Sequence, residues 1–157
     1  MRAGLYIVFV FLIIISGHAM SRAQSITINN DLTFGDMFPG VPKEVPKYTA
    51  GSAAEFHVSG TAGSELSIEF TLPTYMHMNG FNMQLVFPED ACAMDSSATP
   101  DQSSPGYDDI DPWHPITYRL GFNGLTIWLG GMVIPKIVQI PGDYTATIVL
   151  TVTYTGN

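Results

Sequence analysis

Apolar and polar residues alternate along this chain with a period of two. Ala54, Phe56 and Val58 alternate with Glu55, His57 and Ser59. Leu66, Ile68 and Phe70 alternate with Ser67, Glu69 and Thr71, and Met83, Leu85 and Phe87 with Gln84. Ile26, Ile28, Leu32 and Phe34 occupy even positions near the start, with Asn30 as the one polar break. The longest run lies at the end, where Tyr144, Ala146, Ile148, Leu150, Val152 and Tyr154 point one way and Thr145, Thr147, Thr151 and Thr153 the other. A period of two sends successive side chains to opposite faces of a strand, one buried and one wet.

Turn signals separate these runs: Pro39-Gly40, Asn79-Gly80, Asn123-Gly124, Gly130-Gly131 and Pro141-Gly142 among them. No window sustains a helical period, and 11 Pro and 15 Gly further disfavour helix. The spacing predicts about eight strands, over residues 26–34, 44–49, 53–59, 65–72, 82–87, 116–120, 125–134 (bent at Gly130-Gly131) and 143–154. Short strands at this interval argue for an all-β antiparallel sandwich, with a barrel as the other architecture. Residues 88–115 break the pattern. They hold seven acids and no Lys or Arg, and read as one long acidic loop.

The N-terminus has the anatomy of a secretory signal. Arg2 is followed by an apolar stretch, Leu5 to Ile15, and then by Ser21-Arg22-Ala23, with small residues placed for cleavage after Ala23. An apolar run of this length is too short to span ~30 Å of hydrocarbon. The expected organisation is therefore a signal peptide over residues 1–23 and a single domain over 24–157, secreted, periplasmic or at the cell surface, with no membrane association after cleavage. Beyond residue 23 only Lys43, Lys47, Arg119 and Lys136 are basic, against 14 acids. That surplus repels phosphate and argues against nucleic-acid binding. Cys92 is the single cysteine, so no intrachain disulfide can form; it is a free thiol or an intermolecular link.

No catalytic constellation emerges. The chain lacks Gly-x-Ser-x-Gly, His-Glu-x-x-His and a phosphate-binding loop, and its clustered carboxylates fall in the acidic loop. The expectation is a non-enzyme without a cofactor. Asp108, Asp109 and Asp111 are weak candidates for Ca²⁺, because oxygen ligands cluster there without the spacing of an EF-hand. Met76-His77-Met78 offers soft donors for copper, or simply methionines filling a core.

Ile127-Trp128-Leu129-Gly130-Gly131-Met132-Val133-Ile134, then Gln139, Gly142-Asp143-Tyr144 and the alternating tail, resemble the bacterial secreted family called domain of unknown function 4402. Ile26-Thr27-Ile28 through Gly35 and Phe56 to Gly60 fit its N-terminal half. The resemblance implies an immunoglobulin-like sandwich related to fimbrial subunits, with no established activity. The tail also resembles that of chaperone–usher pilins, which carry a Gly twelve residues before a Tyr, as Gly142 and Tyr154 do here. It departs from them in having three residues after that Tyr and no disulfide.

Pilin-like sandwiches assemble by strand addition, in which a neighbour's extended segment completes an open sheet. Ile26, Ile28, Leu32 and Phe34 have the alternation of such a donor, or of an ordinary first strand; Gly142, Tyr144, Leu150 and Tyr154 mark the tail that would take part. These features lead to the expectation of an exported structural or interaction protein, a fimbrial or filament subunit whose partners are copies of itself or other surface subunits. The alternative is a monomeric extracellular module that binds a glycan or calcium through the 88–115 loop and Trp113.

Overall fold

The computed structural model describes residues 24–156, and the segment read as a signal peptide lies outside them. Among the described residues twelve strands are present: β1 (Ser25–Asn30), β2 (Lys43–Val45), β3 (Ala54–Ser59), β4 (Glu65–Thr71), β5 (Tyr75–Met78), β6 (Phe81–Val86), β7 (Cys92–Asp95), β8 (Tyr107–Ile110), β9 (Ile116–Arg119), β10 (Leu125–Leu129), β11 (Gly131–Ile134) and β12 (Val149–Tyr154). Among the described residues no helix is long and apolar enough to cross a membrane.

All the ladders are antiparallel. One sheet runs β1-β3-β10-β7-β8, a second β2-β11-β6-β5 and a third β12-β4-β9. Together they form the expected sandwich. Phe56 of β3 and Phe70 of β4 meet edge to face at 6.0 Å, and Tyr107 of β8 meets Tyr118 of β9 at 5.6 Å, so the first sheet packs on the third. Val58, Leu66, Ile68, Leu125, Ile127, Leu129 and Val133 are completely buried in one core cluster that draws on all three sheets.

The bend expected at Gly130-Gly131 is where the chain leaves the first sheet as β10 and enters the second as β11. A Cβ on Gly130 would lie 2.6 Å from the Val45 carbonyl oxygen and the Lys47 amide nitrogen, so the crossing needs a residue without a side chain.

Several boundaries differ from the sequence reading. The first strand stops at Asn30, after a bulge between Ile28 and Asn30; Leu32 and Phe34 still pack on the core from irregular backbone. The second ends before Pro46, which has no amide hydrogen to offer a ladder. The tail is a strand only over its last half. Residues 143–148 make one bridge, Thr145 to His77, before the chain crosses to β4 as β12. Met76-His77-Met78 lies in β5, joined to β6 by Asn79 and Gly80, both at positive φ, as a tight hairpin requires. Residues 88–115 are not a single loop: they contain β7, buried on both faces inside the first sheet, and β8 at its edge. A strand buried on both faces shows no alternation, which is why Cys92-Ala93-Met94 carried no period-two signal.

Candidate functional site at the edges of the sandwich

Residues opposite one another in an antiparallel ladder project from the same face. In the pairing of β1 with β3, Ile26 lies opposite Val58 and Ile28 opposite Phe56. Val58 and Phe56 are core residues, so Ile26 and Ile28 also face the core side. Yet they remain 38% and 63% exposed. The apolar face of the first strand is only partly covered, least of all at Ile28.

Across the sandwich, β12 has the same relation to β4. Leu150 lies opposite Phe70 and Val152 opposite Ile68, with Val152 buried and Leu150 half-buried. The Phe56–Phe70 contact closes the core between the two layers. Gln24, just ahead of β1, donates its side-chain amide to the Val152 carbonyl at 2.5 Å, which places the start of β1 beside β12. Each of these strands ladders on one side only. Together they form a seam with two unladdered backbone edges, where Gln24 takes the Val152 carbonyl, lined by Ile26, Ile28 and Leu150.

The six edge strands differ in charge. β2 carries Lys43 and Glu44, β8 carries Asp108 and Asp109, and β9 ends on Arg119. β5 has its outer side bridged by Thr145. β1, SITINN, and β12, VLTVTY, hold no charged residue at all. Charges on an edge discourage pairing with another chain, and the two edges at the seam lack that protection.

The sequence-derived assembly residues divide accordingly. Ile26, Ile28 and Leu150 come together at the seam. Tyr154 ends β12, where its hydroxyl accepts the Thr61 amide hydrogen at 3.0 Å. Leu32 and Phe34 serve the core. Gly142 and Tyr144 lie outside β12: Gly142 packs on Met78 at φ +147, and the buried Tyr144 donates its hydroxyl to the Ile140 carbonyl at 2.9 Å. β12 sits at the edge of its sheet, and of its inward positions only Val152 is buried.

The side chains of Asp95, Asp101, Asp108, Asp109 and Asp111 are engaged within the chain. The Lys47 ammonium, on a side chain only 5% exposed, meets Asp108 at 2.7 Å, Asp109 at 2.8 Å and the Asp90 carbonyl at 2.6 Å. Burial alone would lower the Lys47 pKa, but Asp108 and Asp109 outweigh it and raise it. Burial likewise pulls Asp108 upward, and the bonds from Lys47 and the Tyr48 hydroxyl outweigh it and hold the carboxyl below its ordinary range. Asp111 instead accepts the Trp113 amide at 2.8 Å and meets His114 at 2.6 Å. The three calcium candidates therefore do not converge, and no group of three metal-ligating side chains gathers among the described residues. In β5, alternation places His77 on the face opposite Met76 and Met78, which splits the soft-donor cluster. The Trp113 indole is committed too: it donates to the Phe87 carbonyl at 2.9 Å and stands edge-on to that ring.

Cys92 is fully buried, and burial pushes its thiol up to about 12. Of its two sequence readings, an intermolecular link does not fit the folded chain. No family model matches the chain, and no curated protein gives a significant match.

Proposed function

We propose that this protein is an exported, non-enzymatic structural subunit that assembles at the cell surface by strand addition at the β1/β12 seam, with copies of itself or related subunits. The observation that carries the reading is the seam's composition. Two neighbouring edge strands hold no charge, and Ile26 and Ile28 face the core side while staying 38% and 63% exposed. Strand addition satisfies both needs, since a new strand supplies backbone partners and its alternate side chains bury the apolar lips. The family resemblance of the tail and of the first strand supports the same reading.

The test is the assembly state of the chain from Gln24 onward, followed by light scattering and electron microscopy. The wild-type protein should form concentration-dependent oligomers or filaments. Ile28→Asp should leave it a folded monomer, because that side chain contributes little to the core. Thr151→Lys, which places a charge on the β12 edge, should do the same. A wild-type chain that stays monomeric at millimolar concentration would refute strand addition.

A further inference from the structure

The outer face of the first sheet carries a polar cleft that the seam does not use. Glu55 and His57 of β3 stand beside Trp128 and Thr126 of β10 as cross-strand partners, on the side away from the core. Such positions are normally wet. Here Thr126 and Trp128 are buried, at 4% and 2% exposure. The connection between β7 and β8 folds over them and forms one wall of the cleft through Ser97 to Gln102. Asn29 of β1 lines the opposite side, and Asn123 also contributes to the lining. The cleft is open to solvent and holds about 350 Å³, a volume within the range of small-ligand sites.

The cleft is held in shape by its own hydrogen bonds. Asn29 donates to one oxygen of Glu55 at 2.9 Å, and the Trp128 indole donates to the other at 3.1 Å. His57 Nδ1 and the Thr126 hydroxyl are 3.2 Å apart. The wall is fastened rather than free: the Asp95 carboxylate accepts the amides of Ser97 at 2.7 Å and Asp101 at 3.0 Å, and Gln102 donates to the Lys47 carbonyl at 2.7 Å. After these bonds, the amide oxygens of Asn29 and Gln102 still have accepting capacity.

This chemistry selects a ligand class. No Lys or Arg lines the cleft, so an anion would meet no counter-charge on a chain of formal net charge −8. Glu55 is the one carboxylate in the lining, too few charged oxygens for a divalent cation, which takes about six to eight oxygen ligands. An apolar ligand would strip water from amides without replacing its bonds. A neutral molecule bearing several hydroxyls, each both donor and acceptor, meets all three conditions. We propose that this cleft binds a neutral sugar, independently of how the protein assembles.

The test is a titration followed by the side-chain amide and indole resonances of the ¹⁵N-labelled chain. The probes are glucose, galactose, mannose, lactose and maltose, with sialic acid and spermidine as charged controls. At least one neutral sugar should shift the Trp128 indole and the Asn29 and Gln102 amides saturably, leaving the Trp113 indole in place. Gln102→Ala and, separately, Asn29→Ala should weaken that binding by about tenfold, as loss of one good hydrogen bond does, with the dispersed backbone spectrum retained. Three results overturn the proposal: no neutral sugar moving these resonances at millimolar concentration, a response confined to Trp113, or a response to the charged controls alone.

Discussion

The hydroxyl of Tyr154 lies against Gly60, in the space that a side chain at residue 60 would fill, and accepts the amide hydrogen of Thr61 at 3.0 Å. This contact ties the end of β12 to the turn between β3 and β4. It works only because residue 60 is glycine, with Leu120 also within 3.2 Å of the same point.

Two substitutions should therefore interfere with each other. Tyr154→Phe removes one acceptor and should cost about 0.5–1.5 kcal/mol. Gly60→Ala should push the half-exposed ring outward and cost a similar amount. The double variant should lose far less than the sum, because both changes break the same contact. Urea denaturation of the four proteins measures this coupling; strict additivity would show that the contact carries no energy.

Register in β12 should be visible in a pair of neighbours. Val152 faces the core opposite Ile68, and Thr151 faces out opposite Glu69. Val152→Asp buries an unpaired charge and should prevent folding. Thr151→Asp should cost no more than about 1 kcal/mol, from facing a like charge across the strands. Leu150→Ala, at a half-buried site, should cost about 2 kcal/mol, the low end for such truncations. Thermal melts that rank Thr151→Asp with Val152→Asp would contradict the register.

Acid should loosen the connection between β7 and β8. The amides of Ser97 and Asp101 hold the Asp95 carboxyl below its ordinary value of 3.8, with the Ser97 bond the larger cause and burial opposing it. A carboxylate depressed in the folded state stabilises above its unfolded pKa, and that contribution is lost as pH falls through the folded value. Stability should accordingly drop as pH goes below about 4. Asp95→Asn should be less stable at neutral pH and should show a shallower loss in acid. Equal slopes for the two proteins, in denaturation followed from pH 7 to pH 2, would show that Asp95 is not the linked group.

The Cys92 thiol should react only when the fold opens. It is completely buried and its pKa is raised by burial, and the thiolate is the reactive form. Iodoacetamide should label the urea-unfolded chain rapidly and leave the native chain unmodified at pH 8. Prompt labelling of the native protein would mean that β7 opens readily.

Much of the sheet content could be read from alternation alone. Phe56 and Val58, Leu66 and Ile68, and Met83 and Leu85 are buried where the period of two put them. That pattern reports which face of a strand meets a core, and it is local. It does not report whether anything covers that face. Ile26 and Ile28 alternate as well as Phe56 and Val58 do, yet they stay exposed on β1, an edge strand of its sheet. Leu150 is half-buried for the related reason that β12 lies at the edge of its sheet. Nor does alternation mark a strand enclosed on both sides, so β7 passed as part of a loop.

The amino-acid sequence by itself determined the all-β class, the turn positions, the bend at Gly130-Gly131 and the acidic composition. Each of these depends on neighbours within a few residues or on composition. Tertiary structure alone decided which edges stay open, that Lys47 would claim Asp108 and Asp109, and that Asn29, Glu55, Gln102 and Trp128 would line one cleft. Gln102 lies 73 residues from Asn29. What brings them together is the packing of strands distant in the chain and a connection folded over β10, which no local pattern encodes.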